Sequence, residues 1–185
     1  DWDYEALAQF GRFGSGSILA WTAGTNTGYR LENLRGKPRL GLKADLASGD
    51  RNPLDQRLGT FNALFPKGNY FSQADLLGPY NLMDLHPGIS IEVHPRVTLN
   101  HDVDIFWRAS TRDGLYDVPG RPIIAPGNSR ARYIGHGVNF GFEWKLSRFL
   151  TVEGEYQRLL PGAFLRETGR SRTLEFVALW TTLRF

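Results

Sequence analysis

The sequence of 185 residues contains no cysteine, so neither a disulfide framework nor a thiolate metal site is available to it. It also lacks any run of 18 or more apolar residues. The longest uncharged stretch, Phe13 to Tyr29, is filled with Gly, Ser, Thr and Asn, which excludes a membrane-spanning helix. A strong charge of either sign is missing too. Lys and Arg total 22 against 19 Asp and Glu, a formal +3, and there is no dense basic cluster of the kind nucleic acid demands. Lysine itself is scarce, since all but Lys37, Lys43, Lys67 and Lys145 of the basic residues are arginine. Helical periodicity of useful length is absent. The chain begins at Asp1 with no leader and a single Met at position 83, which leads us to expect a processed chain or a piece of a longer one. None of these absences excludes a β-barrel, whose polar inward half dilutes the average hydropathy of −0.34.

What is present is alternation of period two. From Arg96 to Ser110, Val97, Leu99, His101, Val103, Ile105 and Trp107 share one face, and Thr98, Asn100, Asp102, Asp104, Phe106 and Arg108 the other. Seven further segments read alike: Trp2 to Phe10, Leu19 to Asn26, Arg39 to Leu46, Ile89 to Val93, Val138 to Leu146, Leu150 to Gln157, and Phe176 to Phe185. With 21 Gly and 13% aromatics, this predicts an all-β, antiparallel up-and-down barrel of about eight strands. The connections sort by length. Long ones near 47–84, 111–131 and 161–172 alternate with tight ones at His94–Pro95 and Ser147–Arg148, as in outer-membrane barrels with long external loops and short periplasmic turns. Trp107, Trp144, Tyr156 and Phe185 sit near strand ends on the apolar faces, where interfacial aromatic girdles occur. The whole of 1–185 is read as one barrel segment.

The segment Leu58-Gly59-Thr60-Phe61-Asn62-Ala63-Leu64-Phe65-Pro66-Lys67-Gly68-Asn69-Tyr70-Phe71 is followed by Gly78-Pro79-Tyr80-Asn81-Leu82 and Leu85-His86-Pro87-Gly88. Supporting stretches are Lys37 to Gly41, Ala47-Ser48-Gly49-Asp50, Phe106 to Thr111 with Asp113-Gly114, Ala131 to His136, and Leu183-Arg184-Phe185. In this order they resemble the alginate export family of bacterial outer-membrane porins. The resemblance implies a bacterial outer-membrane location and passive export or diffusion of an anionic polysaccharide such as alginate. It further implies contacts with outer-membrane lipid and with the barrel-assembly machinery. The family's barrels have more strands than eight, so the match maps to the C-terminal part of such a barrel. Eight strands closed alone would enclose an interior filled by side chains, and the alternative role is a small closed barrel acting structurally or adhesively through its loops.

A polyuronate carries one carboxylate per sugar, and guanidinium groups bind carboxylates in bidentate fashion. The lumen-lining candidates are therefore Arg30, Arg39, Lys43, Arg108, Lys145 and Arg184, with Lys67 as the strong charge of the first long loop. Against this stands the possibility that they only balance the lumen acids Asp45, Asp102, Asp104, Glu143 and Glu153. The first long loop either folds back as a constriction or packs on neighbouring loops. No cofactor or metal is expected: the four His do not form a ligand set, and His101 alternates away from Asp102 and Asp104. No enzyme is expected either. Glu153 and Glu155 lie about 7 Å apart along one strand face, but no nucleophile elbow, phosphate loop or dinucleotide fingerprint accompanies them.

Overall fold

The computed structural model describes residues 1–71 and 73–185. Eight long strands form one antiparallel meander: β1 (Trp2–Phe13), β2 (Gly16–Arg30), β3 (Arg39–Ala47), β5 (Leu82–His94), β6 (Val97–Arg108), β9 (Tyr133–Lys145), β10 (Leu150–Pro161) and β11 (Leu174–Leu183). The short β4 (Arg57–Leu58) runs parallel to the start of β2, and β7 (Leu115–Tyr116) pairs with β8 (Pro122–Ile124) as a separate hairpin. Each of the eight alternating segments overlaps one of the long strands, those ending at Ser110, Leu146 and Phe185 running past the strand ends, and the sheet is all-β as expected. β1 and β11 are its edges.

The long connections 48–81, 109–132 and 162–173 leave from one end of the sheet, and the turns at 31–38, 95–96 and 146–149 from the other. Register carries the alternation across the sheet. Leu40, Ile89, His101, Phe140, Tyr156 and Val177 are successive partners on the outer face. Gly88, Asp102, Asn139, Gln157 and Phe176 are successive partners on the inner one. On β11 the outer Val177, Leu179 and Leu183 are 73%, 69% and 65% exposed, while Phe176, Ala178, Trp180 and Thr182 on the inner face are half-buried. A water-soluble sheet would bury the apolar face; here it is the apolar face that is bare.

Apolar packing concentrates instead where the loops fold over the inner face. Leu82, Phe106 and Ile134 from the strands meet Phe71 and Leu77 of the first loop, Leu115 and Ile124 of the β7–β8 hairpin, and Phe164 of the short helix α1 (Ala163–Glu167). Ile134 reaches this cluster because it is the extra residue of a bulge: Phe106 pairs with Gly135 and Trp107 with Tyr133. Phe71 stands edge-on to Phe106, ring centres 5.8 Å apart.

β5 is longer than its sequence suggests. Pro87 cannot donate to a ladder and so reads as a strand boundary, yet it pairs with Leu42 and the strand continues back to Leu82.

Candidate functional site

The inner face is polar because its positions alternate with the bare apolar ones, and the first long loop crosses it. Lys43 Nζ donates to the Tyr70 carbonyl at 2.7 Å and lies 3.5 Å from the centre of the Tyr70 ring. Tyr70 OH donates to Asp45 Oδ1 at 2.7 Å. Burial, then the bond to Asp45, pushes the Tyr70 phenol up, so it stays a neutral donor at any ordinary pH. The loop also packs on its neighbours. Asn81 Nδ2 donates to the carbonyls of Ser110 and Gly114, while its Oδ1 accepts from Ser110 N. Asp113 accepts from Asp50 N, Thr60 Oγ1 and Tyr116 OH. The loop therefore both lies against the inner face and packs on its neighbours. Ser48, Gly49, Asp50, Thr60, Asn81 and Asp113 form the clamp between the first two loops, and a Cβ at Gly49 would overlap the Asn81 amide.

Two cavities, about 480 and 500 Å³, open on the inner face and share Tyr70, His86, Asn100 and Asp102 in their walls. Both fall in the range of ligand clefts. Arg39, Lys43 and Lys67 line the first, with Asp3 and Glu5. Glu143, Glu153, Glu155 and Trp180 line the second.

The basic candidates fare differently. Arg30 pairs with Glu92 at 2.8 Å, Lys145 with Glu143 at 3.0 Å, and Lys43 lies 3.7 Å from Asp45. Arg39 makes a two-pronged pair with Asp1 at 2.5 and 3.0 Å, its guanidinium occupying the space a side chain at Gly28 would fill. Arg184 is exposed past the end of β11. Among the described residues neither Lys67 nor Arg184 has an acidic partner within 4.0 Å. Arg108 requires a correction. It lies on the inner face as the alternation predicts, but it is fully buried and donates to the carbonyls of Thr111, Asp113, Ser129 and Ala131. Its guanidinium stacks 3.8 Å from the centre of the Phe164 ring. The cause is the fold of the second and third loops around the strand end, and it removes Arg108 from any path through the lumen.

Of the acids, Asp45 holds Tyr70, Glu153 accepts from Trp180 Nε1 at 2.9 Å, and Glu143 pairs with Lys145. Asp102 and Asp104 belong to a buried group that the sequence reading did not assemble. His86 Nε2 lies 2.9 Å from Asp102 Oδ1, and Asn139 Nδ2 donates to Asp102 at 2.5 Å and Asp104 at 2.6 Å. Asp84 lies alongside, its Oδ2 4.0 Å from His86 Nδ1. The available signal was the spacing of Asp84 and His86, two apart on one face of a strand that Pro87 obscured.

An antiparallel meander with a bare apolar outer face, a polar inner face and long loops gathered at one end is the wall of an outer-membrane-type barrel. Among the described residues no helix is long and apolar enough to cross a membrane. The chain belongs to the alginate export family, whose model matches residues 1–178. That family is a transport family of the outer membrane, and membership ties the chain to polysaccharide export. A search of curated proteins found no match.

Proposed function

We propose that the chain forms the wall of a passive outer-membrane channel for an anionic polysaccharide, a polyuronate such as alginate. The observation that carries this is the segment from Lys67 to Phe71, pinned over the polar face by Lys43 and Asp45 so that it narrows the space beside it. Lys67, Arg39 and Lys43 surround the cavity next to this constriction. Lys67 is free to meet a carboxylate. Arg39 is held by the exposed Asp1, a contact that a polyanion can compete for, since an exposed ion pair is worth only about 0–1 kcal/mol, whereas Lys43 is largely buried against Asp45 and Tyr70 and adds its charge to the wall of the cavity. The neighbouring acids keep attraction from becoming capture: a chain must leave as readily as it enters. Outward Trp144, Trp21 and Leu179 face lipid in this arrangement.

The test is conductance of the purified protein in planar bilayers, with polyuronate or a neutral oligosaccharide of equal length added to one side. The expected result is a steady conductance blocked in a voltage-dependent way by polyuronate and much less by the neutral chain. A folded protein that inserts but conducts no current contradicts the channel and favours a structural or adhesive surface role.

A further inference from the structure

We propose that Asp84, His86 and Asp104 form a divalent-cation site in the lumen wall, of the class that takes a borderline ion such as Zn²⁺. The three side chains come from adjacent strands, and one donor atom from each lies within 4.8 Å of the others. The side chains of Asp84 and Asp104 are wholly withdrawn from solvent, and that of His86 is four-fifths withdrawn. Among the described residues four buried atoms here have no hydrogen-bond partner: both carboxylate oxygens of Asp84, His86 Nδ1 and Asp104 Oδ1. His86 Nδ1 and Asp104 Oδ1 stand 2.5 Å apart yet out of hydrogen-bond alignment. A buried carboxylate with nothing to hold it is costly, so such a group takes up a proton, pairs with a cationic side chain or coordinates a metal.

The surrounding groups are arranged as an outer shell. Asp102 sits 2.9 Å from His86 Nε2, so a proton on Nε2 is held there and the Nδ1 lone pair is left for a metal. Asn139 donates to Asp104 Oδ2, which occupies that oxygen and leaves Oδ1 free. One imidazole nitrogen with two carboxylates matches Zn²⁺, whereas Ca²⁺ takes six to eight oxygens and Mg²⁺ prefers an all-oxygen octahedron. The competing occupant is a proton, with His86 as an imidazolium between Asp102 and Asp104.

The full chain, folded in detergent with its histidines labelled with ¹⁵N, is titrated with Zn²⁺, then with Mg²⁺ and Ca²⁺. Four imidazoles are present, and His94→Gln, His101→Gln and His136→Gln, none of them a proposed ligand, identify the His86 signal by elimination. The expected result is saturation at one Zn²⁺ per chain with His86 alone shifted through Nδ1, and no such shift with Mg²⁺ or Ca²⁺. Calorimetry of Asp84→Asn should show Zn²⁺ affinity at least tenfold weaker, and Asp102→Asn a loss of about 10–100-fold. An unshifted His86 overturns the proposal, as does unchanged affinity in a folded Asp84→Asn. Should Asp84→Asn not fold, the imidazole titration of the unaltered site decides alone.

Discussion

Replacing Arg108 by Met removes the guanidinium while keeping most of the side-chain volume. Arg108 makes five hydrogen bonds to four carbonyls, with the shortest, to Ala131, at 2.6 Å. A hydrogen bond to a charged group contributes about 1.5–3 kcal/mol, and a buried acceptor left unpaired costs about 1–3 kcal/mol. Loop carbonyls near the surface recover some of that by turning to water, so the terms do not add. We expect a loss of about 3–5 kcal/mol, the size seen when one partner of a buried charged network is removed. The loss should be local, because every carbonyl involved lies between Thr111 and Ala131 and the stacking partner Phe164 lies in α1. Hydrogen exchange should quicken across 109–132 and 162–173 while β5 and β6 stay protected. Arg108→Lys should fall between, since an ammonium cannot span the same fork of acceptors. Unchanged exchange in both loops, together with altered ion selectivity, would refute this and restore Arg108 to the lumen path.

The tyrosines give a pH dependence. Burial first, and then hydrogen bonds to Asp45 and Asp113, push the phenols of Tyr70 and Tyr116 upward from 10.0. The folded state thus holds these protons more tightly than the unfolded one, so their contribution is complete below about pH 10 and is lost as pH rises beyond it. Spectrophotometric titration should show Tyr70 and Tyr116 among the tyrosines that ionise only with alkaline unfolding, and Tyr116→Phe should remove one of that late group; the absence of any late-ionising tyrosine would contradict this. Selectivity should respond to Lys67→Glu and, less, to Arg39→Glu, read as a reversal potential across a salt gradient that moves away from anion preference and recovers as salt screens the change. Unaltered potentials in both would leave the first cavity without a role in permeation.

Strand number, order and face were legible in the sequence because alternation survives wherever one face is bare and apolar, as from Val97 to Trp107. Strand bounds were hidden at Pro87, which lacks a donor although it stays in phase with Leu85 and Ile89, and at the glycines around Ile134, where a bulge interrupts the pattern while pairing continues. The same proline concealed Asp84 and His86. Alternation also told which face Arg108 occupies but not what covers it, since its partners lie on a loop whose path depends on contacts distant in sequence, such as Asp50 with Asp113. Charge pairing was legible only as a possibility: Arg39 with Asp1 and Arg30 with Glu92 join residues 38 and 62 positions apart.

Everything above rests on the outer face meeting lipid and the inner face meeting water. Val103 lies midway along β6 on the outer face, paired with Val138, and Asn100 lies on the inner face, paired with Gly141. Arginine at the bilayer midplane on a lipid-facing position costs about 2–4 kcal/mol, while a lumen position tolerates it. Denaturant titration in lipid vesicles should therefore show Val103→Arg destabilised by about that amount and Asn100→Arg within ~0.5 kcal/mol of the parent. The reverse order, with Asn100→Arg the damaging change, would mean that the polar face is packed and the apolar face is not a membrane surface.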